Sequence, residues 1–401
     1  MFNITPVDNI SLILLIILFF VMPFGTSPYT ITGLLLLTFW IFSGRFWKYR
    51  QCIYKSSWFY PVSVYILLTI FGVLWSSDPS GLGIKFLKKT HYWLYSAIIT
   101  YLLFIFKDKM EYVFKALLLG LFVNFIVALL QIIHLFPIFS RWGMTRYTGF
   151  YGGYNTLPLL LSLGAGMSSF YLRSVQDKKD KIIYGILLIS FICHIILIES
   201  RGGYITFLSI LPFIIYNMPF KRFSLKLLLI IICLLLFSIS PISRNRINQT
   251  AEAFKDYLRL PEDIRWGKVY YAPLDRIYMW RWALELFKEN PFLGVGTGGY
   301  SKAIVKAGGK IPVAHPHNNI LYMASCYGIV GIFVYFWIMG LMFLRSVNHL
   351  DDAIGAFIFC SSLVIFFGGL TDTPILNSGG LILLSLTMGL TSFYDPIQIS
   401  D

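Results

Sequence analysis

Charge is what this chain has least of. Only 13% of its 401 residues are charged, while 57% are hydrophobic, and the mean hydropathy is +0.71. A soluble domain runs near a quarter charged, so this chain could not hide its apolar side chains in a water-exposed globule. Acidic residues are scarcest, 19 against 33 lysines and arginines. Cysteine is sparse as well. Cys193, Cys233, Cys326 and Cys360 lie in apolar runs, Cys52 lies in a basic stretch, and no C-x-x-C occurs. That pattern supports neither a disulfide framework nor a zinc site. Fixed-period repeats, low-complexity tracts and flexible linkers are missing too. The N-terminus lacks a basic n-region and a small-residue cleavage site, so its first apolar run reads as a retained membrane helix.

Long apolar runs dominate what is present. They are continuous rather than alternating, and each is about long enough to cross a hydrocarbon core, which favours helices over barrel strands. Twelve are expected, at 10–24, 28–44, 60–75, 91–106, 112–136, 156–173, 182–199, 202–218, 224–241, 317–344, 353–370 and 378–394. The fold class is therefore all-α and polytopic. Residues 1–401 form a single membrane domain, with one long loop, 242–316, between the ninth and tenth spans. Within that loop, 247–260 and 275–294 carry helical patterns. Asp275 stands at the start of the second, Asn290-Pro291 ends it, and Met279, Trp282, Leu286 and Phe287 give it an apolar stripe.

Twelve spans put both termini on one side. The short loops there hold fifteen lysines and arginines, against six in the short loops opposite. The positive-inside rule makes the richer side cytoplasmic. Twelve more lie in the long loop, which does not vote. The basic excess thus serves topology and, on the far side, an anionic ligand. Nucleic acid is not expected as a partner; membrane lipids are.

On this topology the unusual polar residues gather at the outer face. Arg201 follows Glu199 at the end of the seventh span, and Gly202-Gly203 leave room beside its guanidinium. Arg276 and Arg281 sit on the loop helix. His315 and His317 stand where the loop gives way to the tenth span, Asn318 follows them, and Asp372 lies at the outer end of the eleventh span. Ionisable residues at membrane depth are costly, which makes each a functional candidate. Plainer readings stand beside these. Arg201 suits a headgroup anchor or a pair with Glu199, Arg276 and Arg281 a solvated face, His317 a helix cap, and Lys85, Lys88 and Lys89 anionic headgroups in general. His134 and His194 read as core. Two histidines two apart, without cysteine or clustered carboxylates, make a poor metal site. His317 is therefore read as a candidate base and His315 as its neighbour, with no metal and no cofactor. The G-x-G-x-G-G within "NPFLGVGTGGY" (290–300) precedes no βαβ unit and reads as a sharp turn, not a nucleotide loop.

Arginines suit pyrophosphate, and a histidine beside them suits deprotonation of a hydroxyl. Together they describe glycosyl transfer from a lipid carrier. "NPFLGVGTGGY", followed by "HPHNNIL" (315–321) and by ten residues between His317 and Gly328, resembles the O-antigen ligase family of bacterial membrane glycosyltransferases. The strong signature covers 275–331, and the twelve-span plan with its large loop resembles the family across nearly the whole chain. The resemblance implies His317 as catalytic base, Arg201 and Arg276 as pyrophosphate ligands, and Asp372 as a supporting acidic residue. Ile205 stands where the family's R-x3-L pattern has leucine. It also implies an undecaprenyl-pyrophosphate-linked glycan donor, a lipid A–core acceptor, and inverting, metal-independent transfer at the periplasmic face of the inner membrane. Within the superfamily the rival is a polymerase joining lipid-linked repeat units. A transporter is disfavoured, because its polar groups would gather at mid-membrane.

Overall fold

A computed structural model describes residues 4–139, 146–151, 156–219, 241–261, 274–309 and 311–395. The ninth expected span, 224–241, lies outside the described residues except for its last position. The described residues are helical and contain no strand. The helices are α1 (Pro6–Val21), α2 (Thr26–Phe42), α3 (Arg45–Lys55), α4 (Phe59–Phe71), α5 (Ile84–Lys88), α6 (Leu94–Phe106), α7 (Met110–Ile132) and α8 (Leu157–Ser174). They continue as α9 (Lys178–Leu197), α10 (Arg201–Asn217), α11 (Pro241–Arg259), α12 (Leu274–Glu289), α13 (Tyr300–Lys306), α14 (Asn319–Ser346), α15 (Ala353–Gly368) and α16 (Ser378–Leu390).

Each of the other eleven expected segments overlaps one of these helices. By length and composition, four stretches can cross a membrane: Pro6–Phe24, Pro79–Ile132, Lys178–Leu197 and Asn319–Ser346. The pair α2 and α3, bent by 102°, makes a fifth if counted as one span. Length explains part of the difference from twelve, because the apolar helices Phe59–Phe71, Ala353–Gly368 and Ser378–Tyr394 are each shorter than 18 residues. α8 is buried from Leu157 to Tyr171 and α16 from Gly379 to Leu390, so both pack against protein. α8 lies against α9, α10 and α15, and its Gly164, Ala165 and Gly166 permit close approach. Outer helices instead expose large apolar side chains, such as Ile31 and Leu35 on α2 and Ile182 and Ile189 on α9.

The basic stretch 45–55 forms a helix where a loop was expected. Arg45, Tyr49, Cys52 and Ile53 make one buried stripe at helical spacing. At its start, Arg45 Nη2 pairs with Asp8 Oδ2 at 3.0 Å. Asp8 is fully buried and also takes the Thr5 N–H at 2.8 Å and the Tyr101 hydroxyl. One carboxylate thus ties α1, α3 and α6 together.

The long loop does not stand apart from the bundle. Its helix α12 packs on α14 through Leu274, Tyr278, Met279, Ala283 and Leu286. The expected stripe is rotated slightly, leaving Trp282 and Phe287 half-buried. After α12, the glycine-rich stretch wedges between the turn after α4 and a break in α14. At that break Gly328 has φ 64 and ψ −153, which interrupts the helical hydrogen bonds. The carbonyls of Ser325 and Cys326 instead accept the Val295 and Gly296 N–H groups, each at 2.9 Å. Ile329 N–H donates back to the Pro291 carbonyl at 2.8 Å. On the other side, Ser77 N–H donates to Val295 and Thr297 N–H to Gly72. Gly294, Gly296 and Gly298 all have positive φ, and a Cβ on any of them would meet backbone of this sandwich. The sequence reading of a sharp turn holds, and its glycines serve close packing.

A second irregular segment, 148–150, is held by two side chains of α7. Asn124 donates to the Thr148 carbonyl at 3.0 Å and accepts the Phe150 N–H at 2.8 Å. Gln131 donates to the Gly149 carbonyl at 2.9 Å and accepts the Gly149 N–H at 3.0 Å. Both side chains are fully buried.

Candidate functional site

Two segments meet at one end of the bundle, residues 311–318 leading into α14 and the turn 369–377 between α15 and α16. Asn318 caps α14. Its Oδ1 accepts the Leu321 N–H at 3.0 Å, and its Nδ2 donates to the Leu370 carbonyl at 3.2 Å. The Asn319 N–H donates to the Gly369 carbonyl at 2.6 Å, and its Oδ1 accepts the Ile375 N–H at 3.4 Å. The two asparagines fasten the start of α14 to the turn.

His317 directly precedes this fastening, in a left-handed backbone conformation with φ 51. Its Nδ1 lies 2.9 Å from Asp372 Oδ1. Asp372 Oδ2 in turn accepts Asn377 Nδ2 at 2.9 Å. A carboxylate fixed on both oxygens selects the imidazole tautomer with Nδ1–H, so the Nε2 lone pair is left for chemistry. The His317 side chain is 31% exposed and that of Asp372 14%, so the base has access while its partner is largely covered. Burial pushes the Asp372 carboxyl up. Hydrogen bonding and charge from His317, then His315 and the Thr373 backbone N–H, outweigh that and hold it below the ordinary carboxylate range. Asp372 is therefore an anion at neutral pH.

His315 Nδ1 accepts the His317 N–H at 3.3 Å and lies 3.0 Å from Thr373 Oγ1. The two imidazoles meet edge to face, with centroids 4.3 Å apart. Burial, then the neighbouring His317, Lys89 and Arg276, outweigh the attraction of Asp372 and push His315 down to about 4. His315 is neutral where His317 would work.

Arg276 sits in the first turn of α12, close enough to add to the positive field on His315. Arg201 opens α10, behind Ser200, whose hydroxyl accepts the Gly203 N–H at 3.2 Å. A Cβ at Gly202 would stand 2.9 Å from Thr371 Oγ1, so the start of α10 touches the residue beside Asp372. Among the six residues singled out from sequence, His317, His315, Asn318 and Asp372 meet through hydrogen bonds around one turn, and the two arginines border it.

Lys89, Thr373 and Asn377 also belong here. Lys89 leaves its exposed neighbours Lys85 and Lys88 and donates to the Leu376 carbonyl, with its ammonium 5.7 Å from the Phe86 ring centre. Nothing in a run of basic residues marks which lysine turns inward. Thr373 and Asn377 flank Asp372 and could have been picked from "TDTPILN" as its polar neighbours.

His315, His317 and Asp372 place their ligand-type atoms within 4.8 Å of one another, the one such grouping among the described residues. Both Nδ1 atoms and both carboxylate oxygens already have hydrogen-bond partners within the protein.

Residues 185–336 match the family described as O-antigen ligase. The matched segment is under half of the chain, and it holds Arg201, Arg276, His315, His317, Asn318 and Gly328. Asp372, the partner of His317, lies beyond it. No curated protein matches the chain significantly. This partial match, with the apolar helices above, supports a membrane protein with a function of the O-antigen ligase and polymerase type.

Proposed function

We propose that the protein is an O-antigen ligase, which moves a glycan from undecaprenyl pyrophosphate to a hydroxyl of lipid A–core. The reading places it across the bacterial inner membrane in twelve spans, with both termini cytoplasmic and the site at the periplasmic face. The observation that carries it is the 2.9 Å contact between His317 Nδ1 and Asp372 Oδ1, which leaves Nε2 as the oriented base of a partly exposed ring.

In the proposed reaction, His317 Nε2 takes the proton of the acceptor hydroxyl as that oxygen attacks the anomeric carbon. The bond from that carbon to the pyrophosphate oxygen breaks, and the lipid pyrophosphate leaves with the electron pair. Attack opposite the leaving group inverts the anomeric centre. Arg201 and Arg276 neutralise the charge that develops on the pyrophosphate, so the reaction needs no metal. Asp372 stabilises the imidazolium that forms.

The lipopolysaccharide of a deletion strain tests this. Loss of a ligase leaves bare core and accumulates lipid-linked polymer. Core bearing a single repeat would identify a polymerase and overturn the proposal. A second expectation concerns the arginines. A charged hydrogen bond is worth roughly 1.5–3 kcal/mol, or about 10- to 100-fold in rate. Arg201→Ala and Arg276→Ala should each slow transfer by about that factor, while Lys179→Ala at the start of α9 should not. Equal rates for all three would remove the pyrophosphate role.

A further inference from the structure

We propose that His315 is a positioning residue whose Nδ1 holds the His317 backbone N–H and so keeps His317 in the left-handed conformation that aims its ring at Asp372. The proposal rests on His317 being the base. His317 has φ 51, a region that residues other than glycine occupy only when their surroundings enforce it. After His317 the chain is fixed by Asn318 on Leu370 and Asn319 on Gly369. Before it stands Pro316, which has no N–H to give. The hydrogen bond from His317 N–H to His315 Nδ1, at 3.3 Å, fastens the near side.

A backbone N–H can only donate, so His315 Nδ1 must present its lone pair, and the ring proton sits on Nε2. The Thr373 hydroxyl, 3.0 Å from the same Nδ1, is then a second donor sharing that lone pair. His315 on Thr373 and His317 on Asp372 form two adjacent rungs between the same two chain segments. The outer rung fixes the inner one. The two histidines also carry opposite tautomers, His315 with its proton on Nε2 and His317 with its proton on Nδ1.

Asparagine and glutamine separate the two ring nitrogens. In His315→Asn the amide oxygen would stand near the native Nδ1, whereas the longer amide of His315→Gln reaches toward Nε2 and leaves the N–H without its acceptor. Each variant is purified, checked for unchanged thermal stability, and assayed in proteoliposomes. The probes are lipid-linked glycan extracted from the deletion strain and lipid A–core from the same cells. His315→Ala and His315→Gln should lower kcat by about 10- to 100-fold with little change in the KM for donor, since a small misplacement of a catalytic group costs on that order. His315→Asn should restore kcat to within about threefold of the parent. In a His317→Asn background, His315→Ala should have no further effect.

An active glutamine variant beside an inactive asparagine variant would overturn the proposal, because the Nε2 proton would then be what matters. Parental rates in all three would overturn it too. If alanine and glutamine do not fold, an asparagine variant that folds but turns over more than tenfold slower also overturns it. A fully active His317→Asn protein would instead defeat the base assignment itself, whatever the His315 series shows.

Discussion

His317→Asn is expected to give a folded protein whose glycan transfer is slowed at least about a hundredfold but still measurable. Asparagine is the informative choice because of the backbone. At φ 51 an alanine adds strain to the loss of the imidazole, whereas asparagine is among the residues that tolerate this region best. The asparagine variant therefore removes the base and little else. General base catalysis contributes about 10²- to 10⁴-fold, and neither neighbour in the cluster stands ready to replace it. His315 has its Nδ1 committed to the His317 N–H and Thr373, and Asp372 is largely covered and still holds Asn377 Nδ2 on Oδ2. Transfer should fall by at least about a hundredfold, with thermal stability within a few degrees of the parent. Activity within threefold of the parent would rule out His317 as the base.

Gly328→Val should be the most destabilising single substitution in α14. At φ 64 and ψ −153, Gly328 occupies a region used almost solely by glycine, which costs other residues roughly 1–3 kcal/mol. A Cβ there would also overlap the backbone of Phe292 and stand 2.6 Å from the Pro291 carbonyl oxygen, and backbone cannot rotate aside. Overpacking adds about 1–3 kcal/mol more. The same helix supplies a control in Gly340, where a Cβ would meet nothing within 4 Å. Gly340→Ala should leave stability unchanged or raise it by up to about 1 kcal/mol. Heating both proteins in detergent and following the loss of monomer gives the comparison. Equal midpoints would mean that the break in α14 does not depend on glycine.

The two substitutions also mark where sequence stopped being enough. Apolar runs located eleven helices, because hydrophobicity and length are local properties of the chain. They did not separate helices facing lipid from helices such as α8 and α16, whose neighbours come from distant sequence. The stretch 45–55 reads as a basic loop until Asp8 is seen to take Arg45, an acidic partner 37 residues away. Arg201, Arg276, His317 and Asp372 stood out because charge is rare at membrane depth. Their convergence depends on the turn 369–377 reaching the start of α14, which no local pattern records. Lys89 was hidden among three lysines, since its burial depends on a carbonyl 287 positions later. The glycine run looked like a turn and is one, yet the reason for three glycines lies in the backbone packed on either side.

Asn124 and Gln131 give the 148–150 segment a property usually reserved for helices. A peptide group in hydrocarbon must find a partner or bear several kcal/mol, which is why irregular backbone normally stays in water. Here the amide groups of two side chains take the place of solvent, offering a donor and an acceptor to each peptide they face. The segment carries its hydration with it in solid form. It can therefore hold its shape against the bundle without water at these peptide groups.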